Sequence, residues 1–283
     1  IVDDKYTKIK KFSNKSINYL DARAPGDATL SSVTQLLLGK KIKSTIDVCG
    51  DSLCTIENKQ KILLDTRENI FKKSQQLGYN TALIGWMHKY CTQYVANLDF
   101  CRSYGLYNNS SFDSGFSLLN PIYTNFILLP HHMPFGLLKN PSYARKHHKD
   151  NESVHNLTLK IIEKSIGNPI FLFVHFSLPH SPYLYKNKMY QPSINPFKID
   201  IESYSEQLIY VDSLFGKILE KIENENHLKN STIVLLSDHG FRKIISADEH
   251  NHVPMIVYNG NKEEYAKILD KVMTEKILLS LIK

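Results

Sequence analysis

Short apolar runs alternate with amphipathic segments over most of the 283-residue chain. The runs rich in β-branched and aromatic residues predict strands at Ile17 to Asp21, Ser44 to Val48, Thr81 to Trp86, Pro169 to Phe176, Thr232 to Leu236 and Val253 to Tyr258. Apolar positions at helical spacing predict helices at Tyr6 to Ser13, Leu30 to Leu38, Glu68 to Leu77, Val154 to Ser165, Ile201 to Glu225 and Lys262 to Ile282. Such alternation is typical of a sheet covered by helices on both faces, so we predict an α/β fold.

Composition limits the classes of partner. The chain is long enough to bury a large core, and its net charge of +7 is compatible with an anionic substrate, a nucleic acid or an acidic membrane surface. Its lysines are spread along predicted helix faces, and the denser basic runs are limited to Lys40-Lys41 and the segment from Arg145 to Lys149. Because no aromatic-basic module for nucleic acid is present, we expect no nucleic acid as partner.

The cysteine pattern fits both an oxidising and a reducing cellular compartment. Cys49 with Cys54 and Cys91 with Cys101 are close enough in sequence to form local disulfides, which would indicate an oxidising compartment. Free thiols in a reducing cytosol fit the same spacing. No window approaches the roughly 18 apolar residues of a membrane span, and the amino terminus has no signal-peptide pattern.

A polar tetrapeptide, Ser237 to Gly240, directly follows the apolar run from Ile233 to Leu236. Open α/β sheets carry their chemistry at the carboxyl ends of strands. The carboxylate of Asp238 and the imidazole of His239 are both good ligands for zinc or manganese. The segment fits a metal site, and it equally fits a strand-end turn in which Asp238 caps the backbone and His239 is solvated.

Thr29 precedes an apolar helical run. Its ordinary interpretation is a helix N-cap. The same place suits a nucleophile, because a helix amino terminus offers free N–H groups and a positive dipole end to a phosphate or sulfate. A threonine hydroxyl needs a metal or a base to become reactive.

Histidines recur at the boundaries of predicted strands. His88, His175 and His180 lie at strand carboxyl ends, whereas His250 and His252 precede a strand. Pro179 and Pro182 stop regular structure, so His180 is expected on a rigid loop. Each histidine alone is more often structural, but their recurrence beside a second Asp-His strand end indicates a shared site.

The chain resembles the sulfatase-like branch of the alkaline phosphatase superfamily. Segments that match in the family's order are Thr29 to Gly39, Thr81 to His88, Phe171 to Pro182, Tyr204 to Leu219, Ile233 to Gly240 and Val253 to Tyr258. The resemblance covers nearly the whole chain. It implies a single catalytic domain over residues 1–283, built as a three-layer α/β/α sandwich with a mostly parallel central sheet. Its first strand would be truncated here, and an irregular or helical region would be inserted at about residues 94–143.

The resemblance also implies a distribution of roles. Thr29 would be the nucleophile, with His88 and His180 as catalytic contacts to the anionic group or leaving oxygen and His175 as a substrate-binding residue. The implied metal-ligand set is Asp3, Asp4, Asp238, His239, His250 and His252. The divalent metal would be zinc, with manganese or calcium as alternatives.

The residues around Thr29 depart from the pattern of sulfatases. Those enzymes use a modified Cys or Ser within CxPxR or SxPxR, whereas this chain reads Thr29-Leu30-Ser31-Ser32-Val33. Trp86 also replaces the lysine of the family's GKWH motif. A threonine nucleophile is similar to that of the branch with phosphodiesterases, phosphonate hydrolases and lipid-dependent phosphoethanolamine or glycerophosphate transferases.

We therefore expect metal-dependent hydrolysis or transfer of a phosphate ester through a covalent threonine intermediate. The alternatives are a sulfate-ester hydrolase and a catalytically inactive anion-binding domain of the same fold. The substrate would be a small-molecule or lipid-linked anionic ester. The resemblance implies a periplasmic or extracellular-facing domain that a region outside this sequence anchors to a membrane, while a cytoplasmic location stays open.

Overall fold

The computed structural model describes residues 4–105, 110–113, 141–165, 168–192, 196–241, 251–261 and 265–282. The α-helices are α1 Thr7–Ser13, α2 Thr29–Leu38, α3 Ile70–Gln76, α4 Tyr90–Gln93, α5 Pro141–Lys164, α6 Ile201–Asn224 and α7 Thr274–Leu281. The strands are β1 Ile17–Arg23, β2 Thr45–Cys49, β3 Ser52–Glu57, β4 Gln60–Leu63, β5 Asn80–Trp86, β6 Phe100–Tyr104, β7 Ser110–Asp113, β8 Ile170–Val174, β9 Tyr185–Lys186, β10 Met189–Tyr190, β11 Thr232–Leu236, β12 His252–Asn259 and β13 Ala266–Met273. Among these residues, no helix has the length and apolar character needed to cross a bilayer.

Two four-stranded sheets form the centre of the fold. One has the order β11-β12-β1-β13, with β12 antiparallel to both neighbours and β13 parallel to β1. The other has the order β7-β6-β5-β8, in which β5 is parallel to β6 and to β8. The chain adds two small antiparallel sheets, β2-β3-β4 and β9-β10. Parallel and antiparallel pairs are therefore mixed.

Alternating side chains of β11 enter two different helical layers. Ile233 and Leu235 pack with Phe12 of α1 and Phe215 of α6. Val234 and Leu236 point the other way, toward a core that includes residues of α2, α3 and α7. Because successive strand residues face opposite sides of a sheet, this division shows helices on both faces. The predicted three-layer α/β fold is confirmed.

The largest core joins the two sheets. Phe171 and Phe173 of β8 pack on the same cluster as Val234 and Leu236 of β11. The two strands are not paired with each other, and each has one described neighbour, β5 for β8 and β12 for β11. All residues of β8 are consequently only partly buried. The shared core holds the carboxyl ends of β5, β8 and β11 in one region.

The sequence predicted a helix from Lys262 to Ile282. This prediction is wrong over Ala266–Met273, because these residues form β13, and it is confirmed over α7. β13 runs parallel to β1 and has one described partner, so it is an edge strand of the sheet as far as the described residues show. An edge strand buries little, and Leu269 is 76% exposed. Its sequence therefore lacks a clear alternation, and pairing with β1 decides its conformation.

The cysteine pairs that the sequence left open are disulfides. Cys49 is bonded to Cys54 at the β2-β3 turn, and Cys91 of α4 is bonded to Cys101 of β6. Most of the predicted insertion at residues 94–143 lies outside the described residues, and the assignment of a single domain stays a prediction.

The aromatic pair Phe12–Phe215 gives a test of the layer on α1 and α6. The rings meet edge to face with centroids 5.0 Å apart, and Phe215 is 8% exposed. We expect Phe215→Ala to lower the free energy of unfolding by about 3–5 kcal/mol, through lost burial and a residual cavity. Urea unfolding followed by circular dichroism measures the change. Ile201→Ala, at a position 63% exposed on the same helix, is the control and should change stability by no more than about 0.5 kcal/mol.

Candidate active site

The carboxyl end of β11 presents an imidazole with a defined tautomer. His239 Nδ1 lies 2.8 Å from the Gly240 carbonyl oxygen. A carbonyl only accepts, so Nδ1 carries a proton, and in the tautomer with this one ring proton the Nε2 lone pair faces outward from the strand end. That Nε2 lies 3.2 Å from Thr29 Oγ1 and 3.6 Å from Asp238 Oδ2. The two halves of the predicted site, far apart in sequence, are thus in contact.

Thr29 is the first residue of α2 and not its N-cap, which is Ala28. The N-cap interpretation of Thr29 is therefore wrong. Its hydroxyl faces His239, at the positive end of the helix. One turn along, the buried Ser32 hydroxyl donates to the Asp238 carbonyl oxygen and ties α2 to the end of β11. The helix start and the strand end are held as one unit.

His88 and His175 line the same region as a pair of stacked rings. Their centroids are 6.2 Å apart and their planes differ by 13°. Burial, with the nearby His175 as a second cause, lowers the pKa of His88 to about 3, while the Asp238 charge and the Thr29 backbone act in the opposite direction. Desolvation also lowers the pKa of His175. Both rings are neutral at physiological pH, and they lie within electrostatic reach of Asp238.

Tyr90 is a site residue that the sequence reasoning missed. Its hydroxyl lies 2.7 Å from His175 Nδ1, and its ring meets His88 edge to face. The side chain is 1% exposed, and burial raises its pKa well above the usual value. A signal was present, because Tyr90 follows His88 by two positions, but tyrosine at the start of an apolar segment ordinarily indicates core.

A second group of rings adjoins the first across Trp86. The Trp86 carbonyl accepts from the His88 backbone N–H at 3.1 Å, while the indole packs against His147 and His180 with centroids 5.2 and 6.3 Å away. The exposed His180 has its Nδ1 2.6 Å from the Ser181 carbonyl, so Nε2 holds the lone pair. No described contact joins His180 to Thr29. His147 lies in the basic segment from Arg145 to Lys149, yet it is 3% exposed.

The donor set around Asp238 fits a divalent cation. Asp238 Oδ2 is buried and has no hydrogen-bond partner among the described residues. A buried carboxylate oxygen left unpaired is costly, and a cation removes that cost. The His239 Nε2 lone pair and Thr29 Oγ1 lie beside it. Over the ranges given above, no three His, Cys, Asp or Glu side chains are grouped as a metal site, so metal binding by Asp238 and His239, here called the half-site, stays a prediction.

The remaining predicted ligands do not contact this half-site within the described chain. Asp4 is exposed, with 86% of its side chain accessible, and pairs with Lys10. His252 begins β12 and uses Nε2 to donate to the Leu20 carbonyl at 2.9 Å. Asp3 and His250 lie outside the described residues. The roles assigned to these four residues stay predictions.

Comparison with known proteins identifies the family. The Sulfatase family profile matches residues 5–276. The chain belongs to the sulfatase family. The resemblance to sulfatase-like proteins of the alkaline phosphatase superfamily is thereby confirmed. No curated protein sequence matches the chain.

Solved structures show the same fold. A protein crystallised with k-i-k-neocarrahexaose is 15% identical, with a TM-score of 0.64 over 97% of this chain and 65% of its own. A sulfatase from Pseudoalteromonas sp. is 14% identical, with a TM-score of 0.63 over 96% and 60%. A phosphonate monoester hydrolase from Silicibacter pomeroyi is 12% identical, with a TM-score of 0.60 over 97% and 68%. The chain thus spans about two thirds of the length of these sulfatase-family and superfamily proteins.

Replacing the Asp238 carboxylate tests the half-site. We expect Asp238→Asn to weaken zinc binding by at least about 10-fold, because a direct charged ligand contributes no less than the groups that orient it. Zinc content after dialysis, measured by mass spectrometry, reports the change. Asp51→Asn is the matched control, since Asp51 is exposed and paired with Lys89. Equal zinc content in the Asp238→Asn variant and the parent protein would show that Asp238 is not a ligand.

The neutral state of His88 gives a pH prediction. The unfolded chain binds a proton at this residue near pH 6.5, whereas the folded chain does so at about pH 3. Stability therefore falls as the pH decreases through that window, because the unfolded state binds more protons. In metal-free protein, we expect the NMR signal of the His88 ring to show no protonation between pH 7 and pH 5. The urea-unfolded protein is the control, and a folded-state midpoint above pH 5 would contradict the prediction.

Proposed function

We propose that this sulfatase-family chain catalyses metal-dependent hydrolysis or transfer of a phosphate ester, with Thr29 as the nucleophile. The observation that carries the proposal is the contact of Thr29 Oγ1 with His239 Nε2, beside the unpaired Oδ2 of Asp238. A hydroxyl, a free imidazole lone pair and a carboxylate around one point are what a metal-activated nucleophile requires.

The chemistry follows from these positions. A divalent metal such as zinc, held by Asp238 and His239, would supply positive charge that favours the alkoxide of Thr29 and offsets charge on the transferring oxygens. Thr29 Oγ1 forms a bond to phosphorus as the bond to the leaving oxygen breaks, and the leaving alkoxide takes up a proton. Water or an acceptor alcohol then displaces Thr29 and restores its hydroxyl.

The imidazoles would orient the phosphoryl group. His88 and His175 are neutral, so each offers hydrogen bonds without adding charge. The buried His88 Nε2 has no partner among the described residues and suits a phosphoryl oxygen. The Nε2 lone pair of His180, which lies on a loop, would take up the proton that the water or acceptor alcohol loses when it attacks phosphorus. The amino terminus of α2 adds the positive end of its dipole.

A sulfate-ester hydrolase is the second candidate. It is favoured by the family match and by the similar fold of a Pseudoalteromonas sulfatase. The residue at the nucleophile position argues against it, because formylglycine is formed from Cys or Ser and this position holds Thr29. The similar fold of a phosphonate monoester hydrolase supports a phosphorus substrate instead. The first candidate is preferred on the identity of the nucleophile.

We further propose that the domain is exported and meets a small-molecule or lipid-linked ester outside the cytoplasm, with membrane attachment through a region outside this sequence. The two disulfides support the exported location, because such bonds persist in oxidising compartments. The net charge of +7 supports an anionic substrate.

A panel of esters tests the reaction. With zinc present, we expect turnover of p-nitrophenyl phosphate or bis-p-nitrophenyl phosphate to exceed turnover of p-nitrophenyl sulfate. Thr29→Ala should lower that turnover by about 10³-fold or more, since loss of a nucleophile removes the covalent route. Release of p-nitrophenol, followed by absorbance, is the measurement.

Thr29→Ser keeps the hydroxyl and is the matched control, expected to retain a measurable part of the activity. Sulfate turnover above phosphate turnover would favour the second candidate. Activity that survives in Thr29→Ala would remove Thr29 from the mechanism, and no turnover of any ester would favour an inactive anion-binding domain.

A further inference from the structure

The Tyr90 ring occupies space that β5 leaves open at Gly85. A Cβ atom at Gly85 would lie 2.3 Å from two carbons of the Tyr90 ring, so any larger residue would displace that ring. Tyr90 is 1% exposed and is the first residue of α4. The next residue, Cys91, is bonded to Cys101 of β6, which pairs with β5. The glycine and the disulfide together fix the place of the ring.

The Tyr90 hydroxyl reaches His175 at the carboxyl end of β8. The His175 backbone N–H donates to the Ile84 carbonyl at 2.8 Å, which places His175 beside Gly85. The Tyr90 oxygen lies 2.7 Å from His175 Nδ1. The Tyr90 ring also meets the His88 ring edge to face, with centroids 5.3 Å apart. One tyrosine thus contacts both members of the stacked imidazole pair.

The proton of this hydrogen bond belongs to Tyr90. Burial raises the pKa of Tyr90 well above its usual value, so the phenol stays protonated. His175 Nδ1 is the partner found for this buried hydroxyl among the described residues. If Nδ1 carried a proton, the phenol proton would have no acceptor there, and an unpaired buried donor is costly. Nδ1 therefore accepts, and the proton of the neutral His175 ring is on Nε2.

The three rings lie within electrostatic reach of the half-site. Burial is the largest cause of the pKa shift of each ring, and the charge of Asp238 is a smaller cause in all three. The Trp86 carbonyl also acts on the pKa of His175 as a hydrogen-bond acceptor, which requires an N–H on that ring. Because Nδ1 faces Tyr90 and accepts, this N–H is Nε2–H. The donor atom of His175 is therefore the nitrogen that Tyr90 does not contact.

We propose that Tyr90 is a positioning residue, which holds His175 in the Nε2–H tautomer and so presents a hydrogen-bond donor to the phosphoryl group. This inference rests on the proposed function, in which His175 orients the phosphoryl oxygens. Tyr90 does not contact the ester in this scheme, and its effect passes through His175 Nδ1. The effect is largest in the transition state, because charge then develops on the oxygens that accept from Nε2–H.

Tyr90→Phe tests the role, since it removes the hydroxyl and keeps the ring that fills the space at Gly85. In protein labelled with ¹⁵N-histidine, we expect a protonated Nε2 and an unprotonated Nδ1 for the parent His175, whose signals are identified by their loss in His175→Gln. The Nε2–H fraction should fall in Tyr90→Phe. With zinc and bis-p-nitrophenyl phosphate, kcat should fall by about 3- to 10-fold at unchanged KM, the effect of one neutral hydrogen bond.

Tyr94→Phe is the matched control, because Tyr94 is 2% exposed, lies one helical turn after Tyr90 and packs near Phe71. Its His175 tautomer and its kcat should equal those of the parent. A protonated Nδ1 in the parent, or a tautomer that Tyr90→Phe leaves unchanged, would overturn the inference. A changed tautomer with unchanged kcat would also overturn it and leave the proposed function intact. Absence of turnover by the parent would contradict the proposed function, and the positioning role with it, even where NMR shows the expected tautomer.

Discussion

The two-sided burial of β11 is the constraint on which the rest of the structure depends. Its side chains enter the α1-α6 layer and the α2-α7 layer alternately. A slip of one residue would exchange these faces and place each side chain in the wrong layer, so the register is fixed. That register sets which way Asp238 and His239 leave the strand. The packing of Leu235 and Leu236 thus decides where the side chains of Asp238 and His239 lie.

Desolvation then determines the electrostatics of the site. Burial keeps His88 and His175 neutral, so the carboxylate of Asp238 has few cationic neighbours to offset it. Its buried Oδ2 lacks a hydrogen bond within the described chain. A group of neutral imidazoles around one carboxylate is stable when a cation joins it, because an uncompensated buried charge is expensive.

Trp86 contacts two groups of imidazole-bearing residues. Its backbone carbonyl contacts the loop that bears His88, and its indole supports His147 and His180. The family pattern has lysine at this position, which would carry a charge toward the anion. Here the indole packs against His147 of α5 and against His180 of the loop after β8. Trp86 in place of lysine therefore removes one positive charge and adds an aromatic ring at this position.

Local patterns in the sequence predicted six of the thirteen described strands and, at least in part, six of the seven described α-helices, because their apolar periodicities match the faces that are buried. They also determined Thr29, His88, Asp238 and His239 as candidates, since each lies at the end of such an element. Tertiary structure alone decided β13, an edge strand with little burial to mark it, whose conformation comes from pairing with β1. It alone set the tautomer of His175, because that tautomer depends on a partner distant in sequence, Tyr90.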